Sequence, residues 1–291
     1  MKKLILAFLL ISISAQLFSQ LVVATPDDLV KFKKTKTVVF LESNMLLAYN
    51  QEIQKAVKKH WDITPFEFKK FDNNEFELER LDPNKSFLIM NESYIPKDKT
   101  RAVYKFLNVS LGGDYKLEKQ MPTISGLPVA YAEVEEDTYD YKLGLILRFI
   151  QEHIKVSMEN PEINKTKKML KYYRNELTTI ADKTLYVLEE ELGPDVNTMK
   201  EIKAVYPYDV KIATKEEIQK VIDSRDEKAV ILHQVGPKNT KRKARCWNVV
   251  MGASDAKLYY FNFHMIKRGK RPEGLLLKDF KKLSKEKGFF Y

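Results

Sequence analysis

KTVVFLESNM at residues 36–45 returns, nearly intact, as KTLYVLEEEL at residues 183–192. A chain that writes one apolar strand twice at such a distance is constrained to bury it twice. Two further blocks keep the same order. Residues 63–90 lie over residues 205–232 without a gap, matching Pro65 with Pro207, Lys69 with Lys211, Glu75 with Glu217 and Ile89 with Ile231. Residues 99–114 lie over residues 239–254, where Thr, Asn, Val and Gly coincide. Three ordered blocks with small length changes between them predict a tandem duplication. The alternative is two ordinary α/β units that share generic strand and helix patterns.

Each copy reads as the same series of elements. Val38 to Leu41 and Leu185 to Leu188 are short continuous apolar runs, as in strands covered on both faces. The segments 47–61 and 196–206 follow as helices; Ile53, Val57 and Trp61 fall on one face of the first. Pro65 and Pro207 separate helix from strand. Phe66 to Phe71 and Tyr208 to Ile212 are second strands. Asp72 and Thr214 are N-cap residues, each with a glutamate three positions on. Phe87 to Met90 and Ala229 to Leu232 are third strands, and right-handed crossovers make all three parallel. A hairpin follows, turning at Gly112-Gly113-Asp114 in the first copy and at Gly252 to Asp255 in the second. In the first copy an insertion leads into VAYAEVEE. Each copy closes on a helix, 141–158 and 275–287, and a basic helix over 165–180 leads into the second.

The expected fold is therefore α/β: two tandem β-α-β-α-β-β-β-α units of three layers, over residues 24–160 and 161–291. Each has a mostly parallel sheet with a C-terminal hairpin. This order resembles in architecture the N-terminal domain of periplasmic TolB and the anticodon-binding domains. The resemblance implies a fold and nothing about function.

Residues 1–19 read as a secretory signal peptide: Lys2-Lys3, then an apolar run from Leu4 to Ile13, then a more polar stretch. Cleavage is expected after Ser19, with Ala15 as the alternative. The apolar run is too short to span a bilayer, and no cysteine stands near the cut, so a lipoprotein is not expected. The expected location is the periplasm or the outside of the cell, with no transmembrane segment after cleavage. Cys246 is the one cysteine, which excludes an internal disulfide and a multi-cysteine metal site. Stability must then come from core burial, for which a hydrophobic fraction of 44% is ample.

The net charge is +10. The positive charge is dispersed over Lys31 to Lys34, Lys165 to Lys171, Lys238 to Arg245, Lys267 to Arg271 and Lys278 to Lys287. Such runs read as solvated faces, or as binders of anionic glycan or lipid headgroups. Nucleic acid is not an expected partner of an exported chain; another envelope protein is.

The usual catalytic patterns are missing. There is no GxSxG, no phosphate-binding glycine motif and no paired-histidine metal spacing. His60 and His153 are expected at helix surfaces. His233 ends a third strand, and ligands collect at the carboxyl ends of strands in α/β sheets. The candidate lining is therefore Glu42, Ser43, Asn91, Glu92, Glu189, Glu190, His233 and Gln234, in the loops after Leu41, Met90, Leu188 and Leu232. His233 with two carboxylates has the donor types for a divalent metal, and the same residues also suit a plain polar rim. Cys246 reads as a packing residue in a strand, with Arg245 and His233 as conceivable activators. Glu133 and Glu135 read as an exposed strand face. Tyr172-Tyr173-Arg174 and Tyr259-Tyr260 read as sheet faces or as sugar-stacking stripes. The terminal aromatics Phe289 to Tyr291 are expected to dock on the core. No cofactor is expected. The function expected is non-catalytic binding or envelope assembly, with an envelope hydrolase and a basic surface binder as alternatives.

Overall fold

The computed structural model describes residues 22–95, 98, 100–164, 166–174, 180–237, 243–267 and 271–285. Residues 1–21, where a signal peptide is expected, most of the run 238–245, residues 268–270 and the terminal aromatics lie outside the described residues.

The chain opens on β1 (Val22–Val23) and α1 (Pro26–Phe32), ahead of the strand expected to come first. The signal for α1 was local. Thr25 caps it in a capping box with Asp28, and Pro26 sits at its first turn, where no backbone donor is needed. Then come β2 (Lys36–Leu41), α2 (Ala48–His60), β3 (Phe66–Lys70), α3 (Asn73–Glu79), β4 (Lys85–Tyr94), β5 (Val103–Leu111), β6 (Pro122–Tyr131) and α4 (Leu143–Glu159). The second half runs α5 (Thr166–Arg174), β7 (Thr184–Val187), α6 (Met199–Val205), β8 (Val210–Ile212), α7 (Lys215–Ser224), β9 (Ala229–Val235), β10 (Arg245–Gly252), β11 (Leu258–Met265) and α8 (Leu277–Leu283). Asp72 accepts from the Asn74 and Glu75 amides, and Thr214 forms a capping box with Glu217.

These elements make two mixed sheets. One runs β1-β6-β5-β4-β2-β3 and the other β11-β10-β9-β7-β8. β2 in the one and β7 in the other lie between two parallel neighbours, and the last three strands of each sheet are antiparallel. Apart from β1, the strand orders coincide.

The residue matches do not coincide as well. Val39 pairs with Leu88 across β2 and β4, and Leu185 with Val230 across β7 and β9. Leu88 and Val230 are equivalent in the ungapped block, so Val39 corresponds to Leu185. Matching Lys36-Thr37 to Lys183-Thr184 would instead equate Val38 with Leu185. The β2–β3 and β7–β8 ladders give the same slip, with Val39 beside Phe68 and Leu185 beside Val210. One residue of slip exchanges the two faces of a strand. Thr37 accordingly is buried, within 2.5 Å of the Thr64 hydroxyl and 2.8 Å of that of Ser86, while Thr184 takes the place of Val38. The third block is out of register too. The ladders place Gly252 where the first sheet has Val109, not Val249.

Packing follows the alternation of β2. Val38 and Phe40 face a small aromatic core with Phe76 of α3, Phe87 and Met121. Val39 and Leu41 face the main core with Ile53 and Val57 of α2. That main core is one cluster containing side chains of both sheets. Helix α4 explains the join. Leu143, Leu145, Ile146, Leu147, Phe149 and Ile150 are all buried, so the first half of α4 is covered on most sides, while Glu152 and Lys155 in its second half reach solvent. Its buried Arg148 donates to the carbonyls of Ala253 at 2.9 Å, Ser254 at 3.1 Å and Ile222 at 3.4 Å. Its Gln151 donates to the His60 carbonyl and accepts from the Asp62 amide, which closes the end of α2. No helix of the described residues is long and apolar enough to cross a membrane.

Candidate functional site

The carboxyl ends of the strands divide the expected lining into two groups. Glu42 and Ser43 leave β2 in a loop, and Glu189 and Glu190 sit in a 3₁₀ turn, Glu189–Glu191, after β7. Asn91, Glu92, His233 and Gln234 are not in loops. β4 and β9 run past their parallel neighbours because each has an antiparallel partner on its other side. Glu92 opposes Lys105 and Asn91 opposes Phe106, while His233 opposes Val249 and Gln234 opposes Asn248.

His233 is buried, and its Nε2 lies 2.9 Å from the Pro128 carbonyl of the other sheet. Burial and the nearby Lys142 charge lower it to about 3. It makes a neutral cross-sheet bond and is buried, whereas Glu189 and Glu190 are exposed. The carboxylate that goes inward is Glu191. It meets the buried Lys142 ammonium at 2.5 Å, and Lys142 also donates to the Leu232 carbonyl at 2.9 Å. Among the described residues no group of three His, Cys, Asp or Glu side chains is arranged to hold a metal ion.

Cys246 is buried, with the Gln234 amide 3.0 Å from its Sγ. Burial pushes the thiol up to about 11. Its conceivable activators are engaged elsewhere: Arg245 binds Asp98 through two nitrogens, at 2.5 and 2.7 Å. His153 is no surface group. Its ring stacks on Phe149 and its Nδ1 lies 3.0 Å from the Tyr173 hydroxyl. Tyr173, Tyr259 and Tyr260 are buried, so they offer no stacking face for a sugar.

What the carboxyl ends do bring together is acid. The strand expected over VAYAEVEE stops at Tyr131, and the chain turns through two 3₁₀ turns, Glu136–Thr138 and Asp140–Lys142. That turn links the rims of the two sheets. Burial raises the Glu42 carboxyl above its ordinary range; Lys105 opposes this, and Glu136 and Glu92 add to it. Burial raises the Tyr139 hydroxyl, which feels Glu136, Glu42, Asp140 and Glu92. Burial raises Tyr141 also, which feels Glu191, Glu190, Asp140 and Asp137. Two overlapping sets of acids thus make up an acidic band: Glu92, Glu42, Glu136 and Asp140 act on Tyr139, and Asp140, Asp137 and Glu190 on Tyr141. Its cations are few. Lys105 lies 5.8 Å over the Tyr139 ring, and Lys215 binds Asp137 at 2.7 Å. Sequence reading found Glu42, Glu92 and Glu190. Lys105 comes from β5, opposite Glu92, and Glu136, Tyr139 and Asp140 come from the turn after β6; sequence reading places none of them at this rim.

A second concavity lies between α2 and α7. It is open to solvent and is lined by Glu52, Lys55, Lys59, His60, Tyr141 and Asp223 among others. Burial, with the charges of Arg148 and Arg225, lowers His60 to about 4. Small-molecule sites are usually enclosed and mostly apolar; this groove is neither.

Comparison with protein-family models, with curated proteins and with solved structures returned no match. The architectural likeness to TolB N-terminal and anticodon-binding domains therefore rests on element order alone.

Proposed function

We propose that the chain is an exported, non-catalytic binding protein that serves assembly in the cell envelope. In this reading the leader is removed after Ser19, and residues 24–160 and 161–291 are duplicated α/β units. The protein works in the periplasm or outside the cell, without a lipid anchor. The coincident strand orders support the duplication; the slipped residue matches count against a recent one.

One observation carries the binding reading. On a chain with net charge +10, the carboxyl ends of both sheets meet in an acidic band. Like charges gathered on one face repel one another and cost stability, so their local excess is explained by a partner. The band also lies where ligands collect in α/β sheets. An enzyme is less well supported, because His233 is buried in a structural bond and cannot share a substrate with Glu189 and Glu190.

The test is a pull-down of the tagged mature chain from its native envelope at low and high salt, read by mass spectrometry. A stoichiometric partner that is lost at high salt is the expected result. Recovery of the bait alone would sink the assembly reading. Intact mass of the exported product checks the leader: a first residue other than Gln20 would move the cut.

A further inference from the structure

A buried polar cluster lies on the α8 side of the second sheet. Alternation along β11 puts Tyr260, Asn262 and His264 on one face, and the antiparallel rungs set Asn248 of β10 beside Asn262 and Cys246 beside His264. Asp279 of α8 closes over them. Asn248 and Asp279 are wholly buried, Asn262 is 2% exposed and His264 6%. β9 ends at Val235, opposite Trp247. The cluster therefore sits at the carboxyl edge of the parallel strands, where ligands of α/β sheets collect.

Three buried atoms of this cluster have no hydrogen-bond partner among the described residues: Asn248 Oδ1, Asn262 Oδ1 and His264 Nδ1. Their neighbours fix what they are. Nδ2 of Asn248 lies 3.4 Å and Nδ2 of Asn262 2.9 Å from the Asp279 carboxylate. A carboxylate only accepts, so each Oδ1 is left as an acceptor. His264 Nε2 lies 2.7 Å from the Pro272 carbonyl. It therefore carries the proton, and Nδ1 is a bare lone pair. A ring held from behind by a carbonyl in this way is the arrangement of a ligating histidine. Charge is the second, independent observation. Asp279 Oδ1 accepts from Tyr260 and Asn262, and Oδ2 from Leu276 and Asn248. All four donors are neutral. A buried carboxylate without an ion-pair partner is costly, and three bare acceptors beside it add to the cost.

We propose that Asn248, Asn262 and His264 bind a small monovalent cation, potassium, sodium or ammonium, with Asp279 balancing its charge. This site is independent of the binding reading above. A water molecule donates two hydrogen bonds, which leaves one of the three acceptors bare, and it brings no charge. A divalent ion asks for more anionic ligands than one carboxylate whose two oxygens are already bonded. The loaded site ties β10 and β11 to the segment that crosses them. His264 holds the Pro272 carbonyl, Asn248 the Gly274 carbonyl at 3.4 Å, and Asp279 opens the helix beyond.

The test is thermal unfolding of the chain, dialysed into choline chloride and titrated at constant ionic strength with potassium, sodium or ammonium chloride. At least one ion should raise the melting temperature saturably by about 3 °C or more over choline. The same ion should slow hydrogen exchange over residues 271–283. The arm that saturates at the lowest concentration identifies the ion. Element analysis after dialysis detects potassium or sodium held too tightly to titrate, which also supports the site. Asp279→Asn keeps the shape and removes the charge; His264→Phe removes one ligand. Each should lose most of the response. Circular dichroism shows that each variant folds, and either one alone decides the matter. No response to any of the three ions, with no potassium or sodium retained, overturns the proposal in favour of an internal water. A response undiminished in a folded variant overturns it too.

Discussion

Lys142 and Glu191 form an ion pair of 2.5 Å in which both side chains are buried. One closes the turn before α4, the other the turn after β7, so the pair ties the two sheets together. Removing one partner leaves a buried charge uncompensated, which costs about 3–5 kcal/mol. Glu191→Gln should therefore lose that much in urea unfolding. Lys142→Met with Glu191→Leu should recover most of it, since apolar replacement of a whole pair is often neutral.

Asp279 is another buried anion. It accepts from the Asn262 amide at 2.9 Å, the Tyr260 hydroxyl at 3.0 Å and the Leu276 backbone amide at 3.2 Å. Asp279→Ala removes the acceptor of these three donors and of the Asn248 amide at 3.4 Å, and should destabilise by about 3 kcal/mol or more. Tyr260→Phe, which removes one donor and leaves the carboxylate bound, should cost about 1 kcal/mol. Chemical denaturation compares the two.

The histidines set an acid limb. Burial lowers His233 to about 3, and His60 and His153 to about 4, against 6.5 when unfolded. Between these values the unfolded chain binds more protons, so stability should fall as pH drops from about 6.5 toward 4. His153→Phe should flatten that slope. Glu42 works the other way, because its folded carboxyl is raised. It costs stability once ionised, so Glu42→Gln should raise the melting temperature at neutral pH and converge with the parent below about pH 4. Melting temperature against pH decides both.

Much of the fold was legible because its signals are local. Thr214 with Glu217 marks a helix start, and Val38 to Leu41 can only be a covered strand. What sequence could not give was register and direction. Lys36-Thr37 and Lys183-Thr184 look equivalent, yet ladder pairing sets them one residue apart. Identity along a chain does not fix which rung a residue meets. His233 lies inside β9, which runs on to Val235, and its partner, the Pro128 carbonyl, comes from a distant segment that no local pattern announces. Lys142 likewise reads as an ordinary surface lysine until Glu191 and the Leu232 carbonyl are seen around it. The acidic rim was half visible for the same reason: Glu42 and Glu92 follow from strand order, while Glu136 depends on how the turn after β6 folds back.

Cys246 should be inert in the native chain. Its thiol is buried and its ionisation is pushed up to about 11, so little thiolate forms at neutral pH. A disulfide-exchange reagent such as DTNB should react at the rate of unfolding and become fast in denaturant. Fast labelling of the folded protein would show that the β10 environment opens.

The claim that the acidic band is the binding surface is tested most directly by hydrogen exchange on the chain with and without a short basic Lys/Leu/Gly peptide. The account predicts added protection over residues 42–50, 91–95 and 136–141, flanking the band, with the α2–α7 groove unchanged. Protection confined to that groove, or to the described basic segments such as 278–285, would contradict it.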